Sequence, residues 1–395
     1  MRLLHTSDWH LGRTFHGASL LDEQAEALDR IVSLAQQRAV DLVVIAGDLY
    51  DRAIPPAEAV SLFTETLVRL RRAEIAVVAI AGNHDSHVRV SVYDPLLTAL
   101  GVTIRGAVER SSEPVLVQPR AGGAAVAVYP LPYLEPLVDG PRLLGQQGGQ
   151  GAEAPARFSQ EVTTRLALEA IRRDLAGRPG TRSVLVAHSF VAGGQPSDSE
   201  RELSVGQVDR VSVEAFSGFD YVALGHLHGS QQLDGPRLAY AGSPLPYSFS
   251  EERHRKSVRI VELAADGTPA VELVPLEVGR PLRTLEGRLE ALCTDPAFEA
   301  ARQARVRAIL TDETLPLQAM ARLRERFPHA VELRHQPPQA VRSSASDRNR
   351  QIREARSPLE LAASFFTDQQ GRPPSAPEQE LLRQALDRAS RGPQR

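Results

Sequence analysis

The chain of 395 residues contains one cysteine and one tryptophan, and Lys256 is its only lysine. With Cys293 alone, no intrachain disulfide can form. No run of about 18 apolar residues exists, which excludes a membrane-spanning helix. A Gly-x-x-x-x-Gly-Lys-Ser/Thr loop is also missing, so any ATP dependence has to come from a partner rather than from P-loop hydrolysis in this chain. Met1-Arg2-Leu3-Leu4-His5-Thr6 lacks the apolar core and small-residue cleavage site of a secretory signal. Together with the cysteine usage this sets the expectation of a cytoplasmic protein.

What is present describes a globular chain, 42% hydrophobic and 24% charged, long enough for one large catalytic domain and something smaller. The net charge of -3 conceals segregation, because residues 280–356 carry 15 Arg against 10 acids. That surplus is either a solvated surface in an Arg-rich chain or a surface that contacts phosphates.

Strand-like and helical patterns alternate from the start. Residues 2–5, 41–46 and 75–80 are short apolar runs of the kind buried on both faces, and residues 20–40 and 57–72 have a helical period between them. Shorter strands follow at 115–117, 124–129, 183–187, 221–224, 238–241 and 257–263, which suggests a second sheet packed on the first. Residues 140–156, rich in Gly, Gln, Pro and Ala, read as a surface loop. After residue 280 the pattern restarts as helix (282–301), strand (306–310), helix (317–327) and strand (330–334). Residues 337–356 read as a polar linker, and two short helical segments follow, opened by the capping boxes Ser357-Pro358-Leu359-Glu360 and Ser375-Ala376-Pro377-Glu378. The expected division is a catalytic domain over 1–278, a small α/β unit over 279–336, the linker, and a helical tail over 357–395.

Metal-ligating and proton-transferring side chains concentrate in five clusters at expected strand ends. These are Asp8-Trp9-His10, Gly47-Asp48-Leu49-Tyr50-Asp51, Gly82-Asn83-His84-Asp85, Ala187-His188-Ser189-Phe190 and Gly225-His226-Leu227-His228. The loops at the carboxyl ends of sheet strands are where α/β proteins assemble sites. In Asp8-x-His10 and His226-x-His228, an extended backbone would aim both side chains to one side. A glycine before Asp48, Asn83 and His226 would permit a sharp exit toward a shared centre. Nitrogen and oxygen donors without thiolate suit Mn²⁺, Fe²⁺ or Zn²⁺, and their number exceeds what one tetrahedral ion needs. Two ions sharing a carboxylate would be the economical arrangement. Taken singly, each cluster has a plainer explanation: Gly-Asn-His-Asp as a turn, His188 as a satisfied core histidine, Gly-His-x-His as a surface turn. Their joint occurrence in this order is what favours a site.

The ordered set D-x-H, G-D-x-x-D, G-N-H-D, H, G-H-x-H resembles the calcineurin-like metallophosphoesterase superfamily, with all five blocks present. The forms Thr6-Ser7-Asp8-Trp9-His10-Leu11-Gly12 and Asp51-Arg52-Ala53-Ile54-Pro55 look like its bacterial DNA nucleases that work beside a coiled-coil ATPase. The resemblance implies an α/β fold: a four-layer sandwich of two mixed sheets flanked by helices, with a small capping domain and a helical C-terminal tail. It implies one Mn²⁺ held by Asp8, His10, Asp48 and His228 and a second by Asp48, Asn83, His188 and His226, with Asp48 bridging. Two such ions lower the pKa of a shared water and hold the phosphate for in-line attack. His84 would stand beside the scissile phosphate, stabilising charge or protonating the leaving oxygen, with Asp51 orienting it.

The same resemblance implies a 3′–5′ exonuclease on duplex ends and an endonuclease on single strands and hairpins. Such an enzyme would serve DNA repair, recombination and replication at the nucleoid, as a homodimer within a heterotetramer. Arg305, Arg307, Arg322 and Arg326 are candidate DNA contacts on the cap. Leu359, Phe366, Leu382 and Leu386 mark the apolar stripes with which the tail would grip the ATPase. A phosphomonoesterase or small-nucleotide phosphodiesterase of the same fold is the alternative activity, and a binding-only scaffold the alternative class.

Overall fold

Strands that are apolar on both faces need cover on both faces, and the architecture supplies it. The structure, a computed structural model, describes residues 1–146, 155, 157–200, 210–338, 357–370 and 372–390. Arg2–Thr6, Leu42–Ile45, Ala76–Ile80 and Val102–Arg105 pair in parallel in chain order. Ser257–Leu263 joins antiparallel beside Arg2–Thr6, and Pro269–Pro275 closes that edge of the six-stranded sheet. Helices Leu21–Gln37 and Ala57–Arg72 form the crossovers, burying Leu28, Ile31, Phe63 and Leu67 against Leu4, Val43, Ile45 and Val77.

The second six-stranded sheet has four parallel strands, Val126–Leu131, Arg182–His188, Tyr221–Gly225 and Leu238–Tyr240. Val115–Val117 and Gln231–Asp234 are its antiparallel edges. Helix Gln160–Ala176 covers its outer face with Ala167, Leu168 and Ile171. Between the sheets, Leu3, Val44, Val78 and Ile80 meet Val126, Val128, Val184, Val186 and Tyr221. Leu3 faces this inner layer while Leu4 faces the helices, as the two-residue period of a strand requires. The four-layer sandwich of mixed sheets expected from the sequence is the fold observed.

Three strands of the two six-stranded sheets escaped the sequence reading. Val102–Arg105 alternates apolar with Thr103 and Arg105, Gln231–Asp234 is polar, and Pro269–Pro275 is a largely exposed edge bounded by prolines, which edges tolerate. Residues 140–146 were expected to be loop, yet Pro136–Gln146 is a helix; a Cβ on Gly140 would come within 2.2 Å of the Phe158 ring. Residues 147–154 and 156 of that expected loop lie outside the described residues.

The expected helix over 282–301 is a second correction. Leu282–Gly287 is a strand, parallel to Arg305–Leu310, which pairs in turn with Ala330–His335; helix begins only at Leu289–Thr294. Leu282 and Leu285 mimic a helical i, i+3 pair. In a strand that spacing points them to opposite faces, and both faces are buried here. Leu285 joins the core of this small unit with Val306, Leu310, Leu323 and Phe327, whereas Leu282 packs on Phe15, Tyr247 and Phe249 of the sandwich.

Residues 339–356, most of the expected linker, lie outside the described residues. Beyond them stand helices Pro358–Gln370 and Ala376–Ser390. The first is closed by a reciprocal capping box, Ser357 N to Glu360 Oε2 at 3.1 Å and Glu360 N to Ser357 Oγ at 3.2 Å; at the second, Ser375 N donates to Glu378 Oε2 at 2.7 Å. Leu359, Phe366, Leu382 and Leu386 are half-buried, while Leu361, Phe365 and Leu381 are exposed.

Candidate metal centre and active site

Because the inner strands of both sheets run parallel, their carboxyl ends gather along one edge. Asp8, Asp48 and Asn83 lie just beyond strands of the first sheet; His188 ends a strand of the second, and His226 and His228 follow another. The two sheets are joined there: the His226 N–H donates to Asp8 Oδ1 at 3.0 Å, and His188 Nδ1 to the main-chain oxygen of Ala46 at 2.8 Å.

The Asp-x-His and His-x-His pairs do not converge through an extended backbone. Asp8, His10, Asp48 and His226 have φ of 54°, 44°, 49° and 108°, so sharp turns aim them inward. Side chains held in this sparsely populated region cluster at functional sites, where surrounding contacts hold the strain. The glycines before Asn83 and His226 also serve another purpose than a sharp exit. A Cβ on Gly82 would lie 2.1 Å from Asp48 Oδ1, and one on Gly225 would lie 1.8 Å from the Ala46 oxygen, so these positions need glycine for close approach.

All seven expected ligands meet in one site. His10 Nε2 and His228 Nε2 lie 3.1 Å apart, and Asp48 Oδ2 lies 3.5 Å from His10 Nε2 and 3.5 Å from His188 Nε2. Asn83 Oδ1 is 2.9 Å from His188 Nε2 and 3.1 Å from His226 Nδ1. Donor atoms of Asp8, His10 and His228, and of Asp8, Asp48 and His188, fall within 4.8 Å of one another. Asp48 thus stands between two groups of donors.

The electrostatics favour a cation. Burial and Asp48 together raise the Asp8 carboxyl well above its ordinary range. Burial also opposes ionisation of Asp48, but His188 and His84 outweigh it and its pKa is lowered. Burial lowers the pKa of His10, His188 and His226, the last to about 3. Among the described residues neither Asp8 nor Asp48 pairs with an Arg or Lys, and the buried His10 Nδ1 and Asn83 Nδ2 have no hydrogen-bond partner. Buried carboxylates among imidazoles that burial makes harder to protonate call for a positive charge, and this nitrogen and oxygen donor set fits divalent metal.

His84 sits at the accessible lip, its ring centroid 4.6 Å from that of His10, with a donor atom within 4.8 Å of those of His10 and Asp48. Its expected partnership with Asp51 takes a different form. His84 Nδ1 donates to the main-chain oxygen of Asp51 at 2.8 Å, while the Asp51 carboxylate lies 3.7 Å from His10 Nδ1 and 3.4 Å from Arg13 Nη1. The carboxylate therefore faces Arg13 and His10, and the backbone orients His84.

Two of the four expected DNA contacts are corrected. Arg305 is buried in an ion pair with Glu23 at 2.6 Å, joining the small unit to the sandwich. Arg326 donates to the main-chain oxygens of Leu292 and Asp295, closing the end of helix Leu289–Thr294. Neither guanidinium is free to meet a phosphate. Arg307 is half-buried, bonded to Thr284 and lying 4.7 Å over the Phe249 ring, and Arg322 is exposed.

Several supporting residues were not read from the sequence. Gln24 donates to the main-chain oxygen of His10 at 2.7 Å and accepts from Gly12 N at 3.0 Å. Asp85 accepts from the main-chain N–H groups of Leu49, Tyr50 and Gly82 at 2.9–3.0 Å, tying two ligand loops together. Tyr247 sets its ring edge-on to both His10 and His228. Glu251 is buried, yet Lys256 and His228 outweigh that burial and hold its carboxyl well below the usual range. Asp85 had a signal in its ligand block; Gln24, Tyr247 and Glu251 had none, because they reach the site only through tertiary packing.

A family model described as calcineurin-like phosphoesterase matches residues 1–230, and one described as type 5 capsule protein repressor C-terminal domain matches residues 278–370. The chain is similar to SbcD, a subunit of the SbcCD nuclease, from Bacillus subtilis (strain 168), with 38% identity over 71% of this chain and 71% of that protein. It is 30% identical to the SbcD of Escherichia coli (strain K12), over 74% of this chain and 72% of that one. The Staphylococcus epidermidis SbcD is 29% identical over 84% of this chain and 85% of its own length.

Proposed function

Since this chain belongs to the calcineurin-like phosphoesterase family, and within it with the SbcD proteins of SbcCD nucleases, we propose that it is the Mn²⁺-dependent DNA nuclease of an SbcCD-type complex. It is a metal-dependent phosphodiesterase. Asp8, His10, Asp48 and His228 would hold one ion, and Asp48, Asn83, His188 and His226 the other. When bound, two divalent ions supply an activated water and neutralise phosphate oxygens for in-line displacement. The observation that carries this reading is the position of Asp48 Oδ2, 3.5 Å from a histidine nitrogen on each side.

The protein's own residues complete the chemistry. His84, anchored through Nδ1 to the Asp51 oxygen, would, in its doubly protonated form, donate from its other ring nitrogen to the leaving oxygen. Exposed cap cations, Arg322 among them, would follow the DNA backbone without reading sequence. The substrates would be duplex ends for 3′–5′ digestion, and single strands or hairpins for endonucleolytic cuts. The half-buried stripes of the two tail helices would engage an SbcC-type coiled-coil ATPase. A homodimer would use the apolar groove lined by the exposed Ile54, Tyr93 and Leu100; a two-fold interface pairs one patch with itself.

The deciding experiment is nucleotide release from linear duplex DNA by metal-stripped protein resupplied with Mn²⁺, beside hydrolysis of p-nitrophenyl phosphate and bis-p-nitrophenyl phosphate. The expected result is release from DNA and cleavage of the diester. Turnover of the monoester alone would make this a phosphomonoesterase, and no turnover of any substrate would leave it a scaffold.

A further inference from the structure

In a chain with 46 Lys and Arg residues, its one lysine is kept for an interior position. The Lys256 side chain is 10% exposed. Its ammonium donates to the main-chain oxygen of His228 and to Ser243 Oγ, each at 2.8 Å, and pairs with the Glu251 carboxylate. Three diverging donors thus meet three acceptors, which a compact ammonium can do and a planar guanidinium fork cannot.

The chain of hydrogen bonds continues to the metal centre. Glu251 accepts from Ser199 Oγ at 2.5 Å, and Ser199 Oγ lies 2.5 Å from His228 Nδ1. The serine has one proton, and it goes to the carboxylate. Its oxygen must therefore accept from His228, which places an imidazole proton on Nδ1 and, in the neutral ring, leaves Nε2, 3.1 Å from His10 Nε2, as the lone pair. The main chain of His228 is fixed as well, its N–H donating to Glu200 Oε1 at 2.7 Å. Among the described residues, His188, in the other group of donors, bonds through Nδ1 to a main-chain oxygen, that of Ala46, instead of to a side chain.

We propose that Lys256, acting through Glu251 and Ser199, is a positioning residue that fixes the tautomer and direction of His228 and so sets the affinity of one divalent site independently of the other. The proposal rests on His228 being a metal ligand. Outer partners of ligating histidines change metal affinity by about 10–100-fold when removed.

The test uses the full chain stripped of metal, with Mn²⁺ affinities measured by calorimetry and electron paramagnetic resonance. Nitrogen-15 correlation spectra report the His228 tautomer. Lys256→Met and Lys256→Arg are each expected to weaken one site by about 10–100-fold while the other keeps its affinity. Ser199→Ala, which leaves the Lys256–Glu251 pair intact, should weaken the same site and release His228 from the Nδ1-protonated form; it carries the test if the Lys256 variants fail to fold. Unchanged affinities in Lys256→Arg and Ser199→Ala, with His228→Asn losing one site, would overturn the positioning role alone. If His228→Asn bound both ions like the parent, the ligand assignment would fall, and this proposal with it.

Discussion

His84 donates through Nδ1 to the main-chain oxygen of Asp51 at 2.8 Å, while the Asp51 carboxylate turns away toward His10 and Arg13. A substitution at 51 removes the carboxylate and keeps the oxygen. Asp51→Ala should therefore retain cleavage within about tenfold at saturating Mn²⁺ and show its defect as a higher metal requirement, because a ligand deprived of its outer partner holds metal less tightly. Single-turnover rates across a Mn²⁺ series decide it. A variant as inactive at saturating metal as one lacking His84 would return the carboxylate to the role of orienting that histidine.

His84→Gln should leave metal content unchanged and lower strand cleavage by about 10²–10⁴-fold, the usual contribution of a positioned acid or base. Asp48→Asn should instead lose metal, because one carboxylate serves both groups of donors. Plasma emission analysis beside nuclease assays separates the two, and metal depletion in the His84 variant would contradict its placement off the ions.

The cap arginines should divide by burial. Arg322→Glu is expected to shallow the salt dependence of DNA binding by about one unit for each phosphate that is no longer neutralised, whereas Arg305→Ala should leave the slope unchanged. The partner of Arg305 acts on stability instead. Glu23→Gln leaves a buried guanidinium short of its counter-charge and should cost about 3–5 kcal/mol in denaturant unfolding. A steep salt effect from Arg305 and none from Arg322 would reverse the assignment.

His5 is a histidine that serves packing rather than metal. Its nitrogens bond Tyr221 Oη at 2.9 Å and the Leu224 oxygen at 3.1 Å, and burial, aided by Arg259, pushes its pKa down to about 3. The unfolded chain protonates this imidazole below about 6.5 while the folded one does not, so its contribution is present above that pH and is lost as pH falls. Relative to His5→Gln, the parent should lose about 1.4 kcal/mol per pH unit between about 6 and 4.5. Parallel stability curves for the two proteins would show that His5 protonates in the folded state.

Truncation after Arg356 should preserve Mn²⁺-dependent cleavage of simple substrates and abolish both SbcC binding and ATP-stimulated processing of duplex ends. Helices this short hold their form mainly when an apolar face is covered. Co-purification of the shortened chain with SbcC at unchanged affinity would remove the tail from the partner interface.

The sequence by itself determined most of the buried strands of the sandwich and the first two crossover helices, Leu21–Gln37 and Ala57–Arg72, since apolar runs and helical periods depend on local pattern alone. It also determined which side chains gather, because short blocks of ligands follow strands whose parallel pairing brings their ends to one edge. Tertiary structure decided the rest. The strand at Leu282–Gly287 looks helical until both of its faces are covered by different cores, and Arg305 looks like a surface cation until Glu23, far away in the chain, meets it. Lys256 and Glu251 share one stretch of chain, but Ser199 and His228 come from others, and their spacing along the chain bears no relation to their 2.5–2.8 Å separations in space. Ligands that share a short motif are legible because the backbone carries them together, whereas residues such as Gln24, Tyr247 and Glu251, which support those ligands from other segments, are chosen by packing and carry no local signature.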